Sequence, residues 1–259
     1  MKILHVWDQA GVGSLLCLYL KQHGHNALLL HRKVFDKFGI YHYYSKFNVV
    51  RLVLGGPMNF YVTVLKTIKK LKPDILHVHS LDNLLIFRPL LRKMRVVVHF
   101  HGSELRQGRV KIFKRIKSSL VLVSTPDLLD YIKDAEWLPN PVDLQLFKPL
   151  GKPRRHKAIY FKLSYEDPNE AIKRSPIPVD IVERCIAYPE LPSILNDYEY
   201  FLDRYAIPYY SKTALEALAC GCKVIRWDGQ IIRDLPLNHN PHYVIRKLLK
   251  LYNDLIGYV

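Results

Sequence analysis

The sequence lacks an uninterrupted apolar run of the ~18 residues that a membrane-spanning helix needs, and Met1 to Trp7 reads as a buried strand rather than a cleavable leader. The chain is therefore expected in the cytoplasm. Cysteine is scarce: Cys17, Cys185, Cys220 and Cys222 offer no pair with a two-residue spacer. Each stands in an apolar run where a thiol simply packs, which argues against a Cys220/Cys222 metal site. Internal repeats and low-complexity tracts are missing too, which excludes a solenoid. Acidic residues are few, with 23 Asp+Glu against 39 Lys+Arg. The deficit is local: residues 1–150 hold 23 Lys+Arg against 10 Asp+Glu, and the remainder 16 against 13. So lopsided a positive field favours an anionic partner for the first half, whether nucleic acid, an acidic membrane surface or a phosphorylated substrate.

What is present is a 259-residue chain that is 49% apolar, enough for one large core or two domains. Strand-length apolar runs occur at Ile3 to Val6, Ala27 to Leu30, Ile75 to Val78, Val96 to Phe100 and Leu120 to Val123. Between them, Ser14 to Gln22 and Val62 to Leu71 carry apolar residues three and four apart, as crossover helices do. This alternation predicts a doubly wound, mostly parallel sheet. A second set restarts the pattern, with strands expected at Ala158 to Phe161, Val179 to Val182, Tyr200 to Leu202 and Val224 to Trp227, and helices at Leu191 to Asn196 and Ser211 to Cys220. The breaker-rich stretch from Leu138 to Lys157 separates the sets, so the domains are expected at 1–150 and 151–259. A closing helix over Tyr243 to Leu255 is expected to cross back over the junction.

Ligands of open parallel sheets bind at the carboxyl ends of strands, so the residues after each strand are the informative ones. After the first comes Trp7-Asp-Gln-Ala-Gly-Val-Gly13, a tight turn into a helix whose free amides suit an anion or a sugar. The same glycines equally suit a turn that merely needs their backbone freedom. His77-Val-His79 and His99-Phe-His101-Gly-Ser-Glu104 each put two histidines on one strand face, with His5 able to lie near them. They read either as a metal site or as interior histidines at His77 and His99 with His101 exposed at the strand end. In the second half, Ser211 and Thr213 can cap a helix running to Gly221, and its first amides would favour a diphosphate. Glu216 lies one turn inside, where composition alone suggests a solvated carboxylate. Lys162, just beyond a strand, is placed to meet an anion.

Five segments in order carry a resemblance: Pro73-Asp-Ile-Leu-His-Val-His-Ser80, Val98-His-Phe-His-Gly-Ser-Glu104, Val123-Ser-Thr-Pro-Asp127, Leu138-Pro-Asn-Pro-Val-Asp143 and Thr213-Ala-Leu-Glu-Ala-Leu-Ala-Cys-Gly221. Together they resemble the retaining glycosyltransferases of family 4, over Met1 to about Gly229. The resemblance implies a GT-B-like α/β fold, two Rossmann-like doubly wound domains facing a cleft. The first would be an acceptor-side domain and the second a short nucleotide-sugar domain. It implies that Gly11 and Gly13 lie near donor and acceptor, that His101 contacts the transferred sugar and that Glu216 binds the nucleotide ribose, making His101 and Glu216 the catalytic pair. Thr213, Ala214, Leu215 and Lys162 would hold the diphosphate. One departure stands out: the family's paired glutamates have seven residues between them, and the position eight before Glu216 is Pro208. Asp203 and Glu199 are the nearby carboxylates.

The expected activity is transfer of a hexose-like sugar from a nucleoside diphosphate donor to an acceptor, with retained anomeric configuration and neither metal nor further cofactor. The acceptor is expected to be lipid-linked or phosphorylated and met at an anionic membrane surface, with Lys66 to Lys72 and Arg106 to Lys117 as the basic contact. Nucleic acid is not expected as a partner, since no recognition motif accompanies the charge. The alternatives left standing are a catalytically degenerate nucleotide-sugar-binding relative, a metal-dependent hydrolase using the paired histidines, and a basic nucleic-acid-binding protein.

Overall fold

Strands that are apolar on both faces need helices on both sides, and the chain meets this requirement twice. The computed structural model describes residues 1–80, 94–106, 120–162, 167–204 and 208–257. They fall into two units, one of Met1–Pro141 with the chain from Pro241 onward, the other of Val142–Asn240.

The first unit contains β1 (Lys2–Val6), α1 (Val12–Gln22), β2 (Asn26–Arg32), α2 (Ile40–Ser45), β3 (Val50–Val53), α3 (Pro57–Leu71), β4 (Ile75–His79), β5 (Val96–Phe100), α4 (Ser103–Arg106), β6 (Leu120–Val123) and β7 (Glu136–Trp137). Its sheet runs β3-β2-β1-β4-β5-β6-β7, with every neighbouring pair parallel. Strand order reverses between β1 and β4, the switch point where such sheets open a crevice. The strands β3 and β7 are four and two residues long, too short to show a period in the sequence.

The two faces of this sheet differ. One is wholly apolar: Leu4, Val6, Leu76, Val78, Val98 and Phe100 pack with Phe60 and Val64 of α3. Helix α3 is built for that place, since Phe60, Val64, Ile68 and Leu71 fall on one stripe while Pro57 starts the first turn without losing a needed N–H. The opposite face carries Ile3, His5, Ile75, His77, Val97 and His99 in register.

The second unit contains β8 (Arg155–Lys162), α5 (Pro168–Ile172), β9 (Val179–Glu183), α6 (Leu191–Leu195), β10 (Tyr198–Leu202), α7 (Lys212–Ala219), β11 (Lys223–Ile225) and β12 (Ile231–Ile232). Its sheet runs β12-β11-β10-β8-β9, parallel except for the β11–β12 pair. Its core gathers Ala158, Tyr160, Ala171, Leu202 and Ile225.

The boundary falls at Pro141, which corrects the expected position near residue 150. The intervening residues are tied into the second unit: Val142 N donates to the His239 carbonyl and Leu150 N to Asn196 Oδ1. The closing helix, α8 (Pro241–Ile256), belongs to the first unit, where Val244, Ile245, Leu248 and Tyr252 are buried and His242 meets the Tyr19 ring at 5.3 Å. Cys185 is exposed rather than packed. Among the described residues no helix is long and apolar enough to cross a membrane.

The α3 stripe yields a stability contrast. Phe60→Ala removes a ring that is 4% exposed and is expected to cost about 3–5 kcal/mol, whereas Met58→Ala on the same helix, at 72% exposure, should stay within about 0.5 kcal/mol. Urea unfolding of both variants checks this, and equal midpoints would show that α3 does not dock through that stripe.

Candidate active site

The second unit's site is built on the turn from β10 into α7. Ser211 caps the helix: its Oγ accepts from Ala214 N at 3.1 Å and its carbonyl accepts from Leu215 N. Ser211 N in turn donates to Asp203 Oδ2 at the end of β10. With Ala214 and Leu215 so engaged, helix geometry leaves the Lys212 and Thr213 amides as the first-turn donors with no intrahelical acceptor. An anion at this helix end would therefore be met by Thr213 and its neighbour Lys212, while Ala214 and Leu215 shape the turn.

Glu216 is 2% exposed, so the solvated-carboxylate reading is overturned. Tyr188 Oη donates to Glu216 Oε1 at 3.2 Å, and Lys212 Nζ approaches the same oxygen at 3.1 Å. Lys212 makes no aligned hydrogen bond there and its ammonium finds no other partner among the described residues, although its side chain is only 9% exposed. Arg184 lies close enough to feel Glu216: burial pulls its pKa down, and the carboxylate and Tyr188 offset part of that. Lys162 ends β8 with its ammonium 3.8 Å from Glu183, a loose pairing across the β8–β9 register.

Neither nearby carboxylate replaces the one missing at Pro208, which is exposed. Asp203 is fully buried and spent on the Ser211 and Arg204 amides, with burial pushing its pKa up. Glu199 is held by Lys223 and His156, each at 2.6 Å. Lys212 and Tyr188 escaped the sequence reading. The four-residue spacing of Lys212 and Glu216 was a legible signal for the first, whereas only folding brings Tyr188 near.

In the first unit, the turn after β1 has Trp7, Ala10 and Gly11 at positive φ. Gly11 caps α1 at φ 79, a conformation costly for residues with a side chain. The anion meeting this buried helix end is intrachain: Asp8 accepts from Gly13 N at 2.7 Å and from the Ser14 amide and hydroxyl at 2.8 and 2.6 Å. A Cβ on Gly13 would lie 3.0 Å from His79 Nε2 and 3.2 Å from Asp8 Cγ, so this glycine lets α1 approach the sheet.

The histidine pairs do not divide into interior and exposed members. His5, His77, His79 and His99 are completely buried, and His101 is half-buried beside them. Neighbouring rings lie 4.4 to 5.4 Å apart between centroids, some stacked and some tilted. A hydrogen-bonded row runs from His5 Nδ1 to His79 Nε2 (3.0 Å), from His79 Nδ1 to His101 Nε2 (2.9 Å) and from His101 Nδ1 to Ser124 Oγ (2.8 Å). Each neutral imidazole has one N–H, so along this row every donor points the same way. His77 Nδ1 meets Tyr252 Oη of α8, and His99 Nε2 meets Ser124. Burial holds His5 and His101 down to about pKa 3 and the other three well below the ordinary histidine value, so all five are neutral.

Of the two basic segments, the first is described. Lys2, Arg51, Lys66 and Lys70, with Thr63 and Thr67, line a cavity of about 610 Å³ beside α3. Arg106 is no free cation, since it binds Asp127 at 2.8 Å and Thr125 at 3.0 Å. The rest of the segment to Lys117 lies outside the described residues.

Two Rossmann-like units, one of them ending β10 at a capped helix that buries a glutamate, define a GT-B architecture. Solved structures agree on this fold. HepE from Anabaena, in complex with UDP-glucose, is 14% identical over 99% of this chain and 93% of its own, with a TM-score of 0.63. Sucrose-phosphate synthase from Thermosynechococcus elongatus is 13% identical over 100% and 92%, at 0.62, and a glycosyltransferase from Rickettsia africae 12% identical over 100% and 99%, also at 0.62. No curated protein matches the chain. The model of Glycosyltransferase Family 4 matches residues 14–146, and the chain belongs to that family.

The buried imidazoles have a consequence for pH. An unfolded histidine protonates near pH 6.5, while folded His5 and His101 resist until about pH 3 and the other three are held well below the ordinary value. The unfolded state thus binds protons first, and stability, full above pH 6.5, is lost as pH falls toward 3. Asp8, raised to about 6 by burial, acts in the opposite sense between 3.8 and 6, and Asp203 likewise, but two carboxyls oppose five imidazoles. In EDTA, the urea midpoint should drop steadily from pH 7 to pH 4. A midpoint that is flat or rises on acidification contradicts the buried neutral block.

Proposed function

We propose that the protein transfers a hexose-like sugar from a nucleoside diphosphate donor to an acceptor, with retention of anomeric configuration and without a metal at the diphosphate. The observation that carries this reading is the first turn of α7. A nearly buried Lys212 ammonium with unused donor capacity stands beside two amides that helix geometry leaves without acceptors, next to a buried Glu216. Buried donors of this kind call for an anion, because each left unsatisfied costs about 1–3 kcal/mol.

In this reading the diphosphate sits on the Lys212 and Thr213 amides with Lys212 and Lys162 as counter-charges, and Glu216, oriented by Tyr188, takes the ribose hydroxyls. As the glycosidic bond to the donor breaks, negative charge grows on the β-phosphate. Fixed amide dipoles and a lysine stabilise that charge without reorganising. His101 contacts the transferred sugar, and the leaving phosphate takes the acceptor's proton. HepE was solved with UDP-glucose and the spinosyn rhamnosyltransferase with thymidine diphosphate, which supports a nucleotide-sugar donor here. The lysine- and arginine-lined cavity beside α3 supports a phosphorylated or lipid-linked acceptor met at an anionic membrane surface inside the cell. A second reading, a relative that binds nucleotide sugar without turnover, is favoured by Pro208 alone.

A panel of nucleoside diphosphates and their sugars should include at least one that raises the thermal midpoint. Glu216→Gln should weaken that ligand about 10- to 100-fold, as loss of a charged hydrogen bond does. If no member of the panel shifts the midpoint, the donor site is wrong. Release of nucleoside diphosphate in EDTA, with an acceptor present, separates transfer from binding alone.

A further inference from the structure

The histidine block holds more imidazole than the proposed transfer uses. His5, His77 and His79 each offer a nitrogen within 4.8 Å of the other two, at the β1–β4 switch point. His5 Nε2, His77 Nε2 and His99 Nδ1 are buried and have no hydrogen-bond partner among the described residues. Nearly all buried polar groups are paired, and an orphan such as His77 Nε2, in one cluster with the nitrogens of His5 and His79, commonly marks a missing water or ion. Three polar rings with no apolar substitute also waste packing that Val or Leu would provide at these strand positions.

We propose that the block binds one divalent transition-metal ion of the imidazole-preferring kind, held by His5, His77 and His79 in place of the proton that His5 and His79 now share.

The His5–His79 pair needs little change. His5 Nδ1 and His79 Nε2 are 3.0 Å apart. Two nitrogens bound tetrahedrally at about 2.0–2.1 Å from zinc stand roughly 3.4 Å apart, so a small widening admits the ion. His77 lies parallel to His79 with ring centroids 4.4 Å apart, and supplies the third nitrogen by turning out of that stack, giving up its contact with Tyr252. The outer partner is already in place for His79, whose Nδ1–H donates to His101 Nε2 and leaves Nε2 with its lone pair. Ligating histidines characteristically anchor their second nitrogen in this way. The His5 proton moves to its own Nε2, so no proton is released. An all-imidazole set suits zinc, nickel, cobalt or copper and not magnesium or calcium. The positive charge has a carboxylate at hand, because Asp8 and His79 meet at the same point on α1 beside Gly13. The site lies in the first unit, whereas the proposed diphosphate site lies in the second, so the two claims stand or fall separately.

The test uses untagged full-length protein stripped with EDTA, loaded separately with Zn²⁺ and Co²⁺, desalted and analysed by elemental mass spectrometry. Wild type should retain close to one ion per chain, and the Co²⁺ form should show the visible bands of a four-coordinate site made of three imidazoles and a water. His5→Gln and His77→Gln should fall to background, while His242→Gln, which changes an exposed histidine, should retain the ion. Thermal unfolding of the metal-free variants reports whether they fold. Failure of wild type to retain an ion overturns the proposal whatever the variants do. Loss in His242→Gln, or loss in His99→Gln with retention in His5→Gln, overturns the assignment to this triad.

Discussion

Helix α1 lies as close as it does to the first sheet because Gly13 has no side chain. A single methyl group there would press on both Asp8 and His79. Much of the first unit follows from that close approach. It places the α1 amides on the Asp8 carboxylate, so the helix end is closed by the chain itself. It also seals one side of the histidine block, which α8 closes further through Tyr252. Five imidazoles are thereby held neutral in a place where valine would ordinarily sit.

The two units handle the same local problem differently. Each has a helix that begins at the carboxyl end of a strand and leaves amides to be satisfied. In the first unit a buried aspartate two residues past the strand satisfies them. In the second, Ser211 caps one amide and Asp203 braces the cap from behind, so two first-turn amides and a lysine remain for a ligand. Which helix end can receive a diphosphate is thus a matter of where the chain spends its own carboxylates.

Much of the fold was legible in the sequence, because buried parallel strands and crossover helices leave long apolar signals. Val96–Phe100 and Leu120–Val123 appear as strands with the expected bounds, the other early runs gain only a residue or a few at their ends, and the run expected to reach Trp227 stops at Ile225. The short strands β3 and β7 left no signal, being defined by their neighbours' hydrogen bonds. The domain boundary was misplaced by nine residues because proline-rich composition marks a linker without saying which side it packs on. At the site, Ser211 as a cap and the helix behind it could be read from residue type. Glu216 could not be told from a solvated carboxylate, because burial depends on Tyr188 and Arg184, which approach from other elements.

The sequence alone determined the two-fold α/β alternation, the positive charge of the first half and the ordered family segments, since each is written in spacing and residue type along one chain. Period-two spacing also put His77 with His79, and His99 with His101, on single strand faces. Only the tertiary structure decided that these pairs meet His5 in one block. Strand order in a sheet is set by crossovers between distant segments, and no local pattern encodes which strands become neighbours.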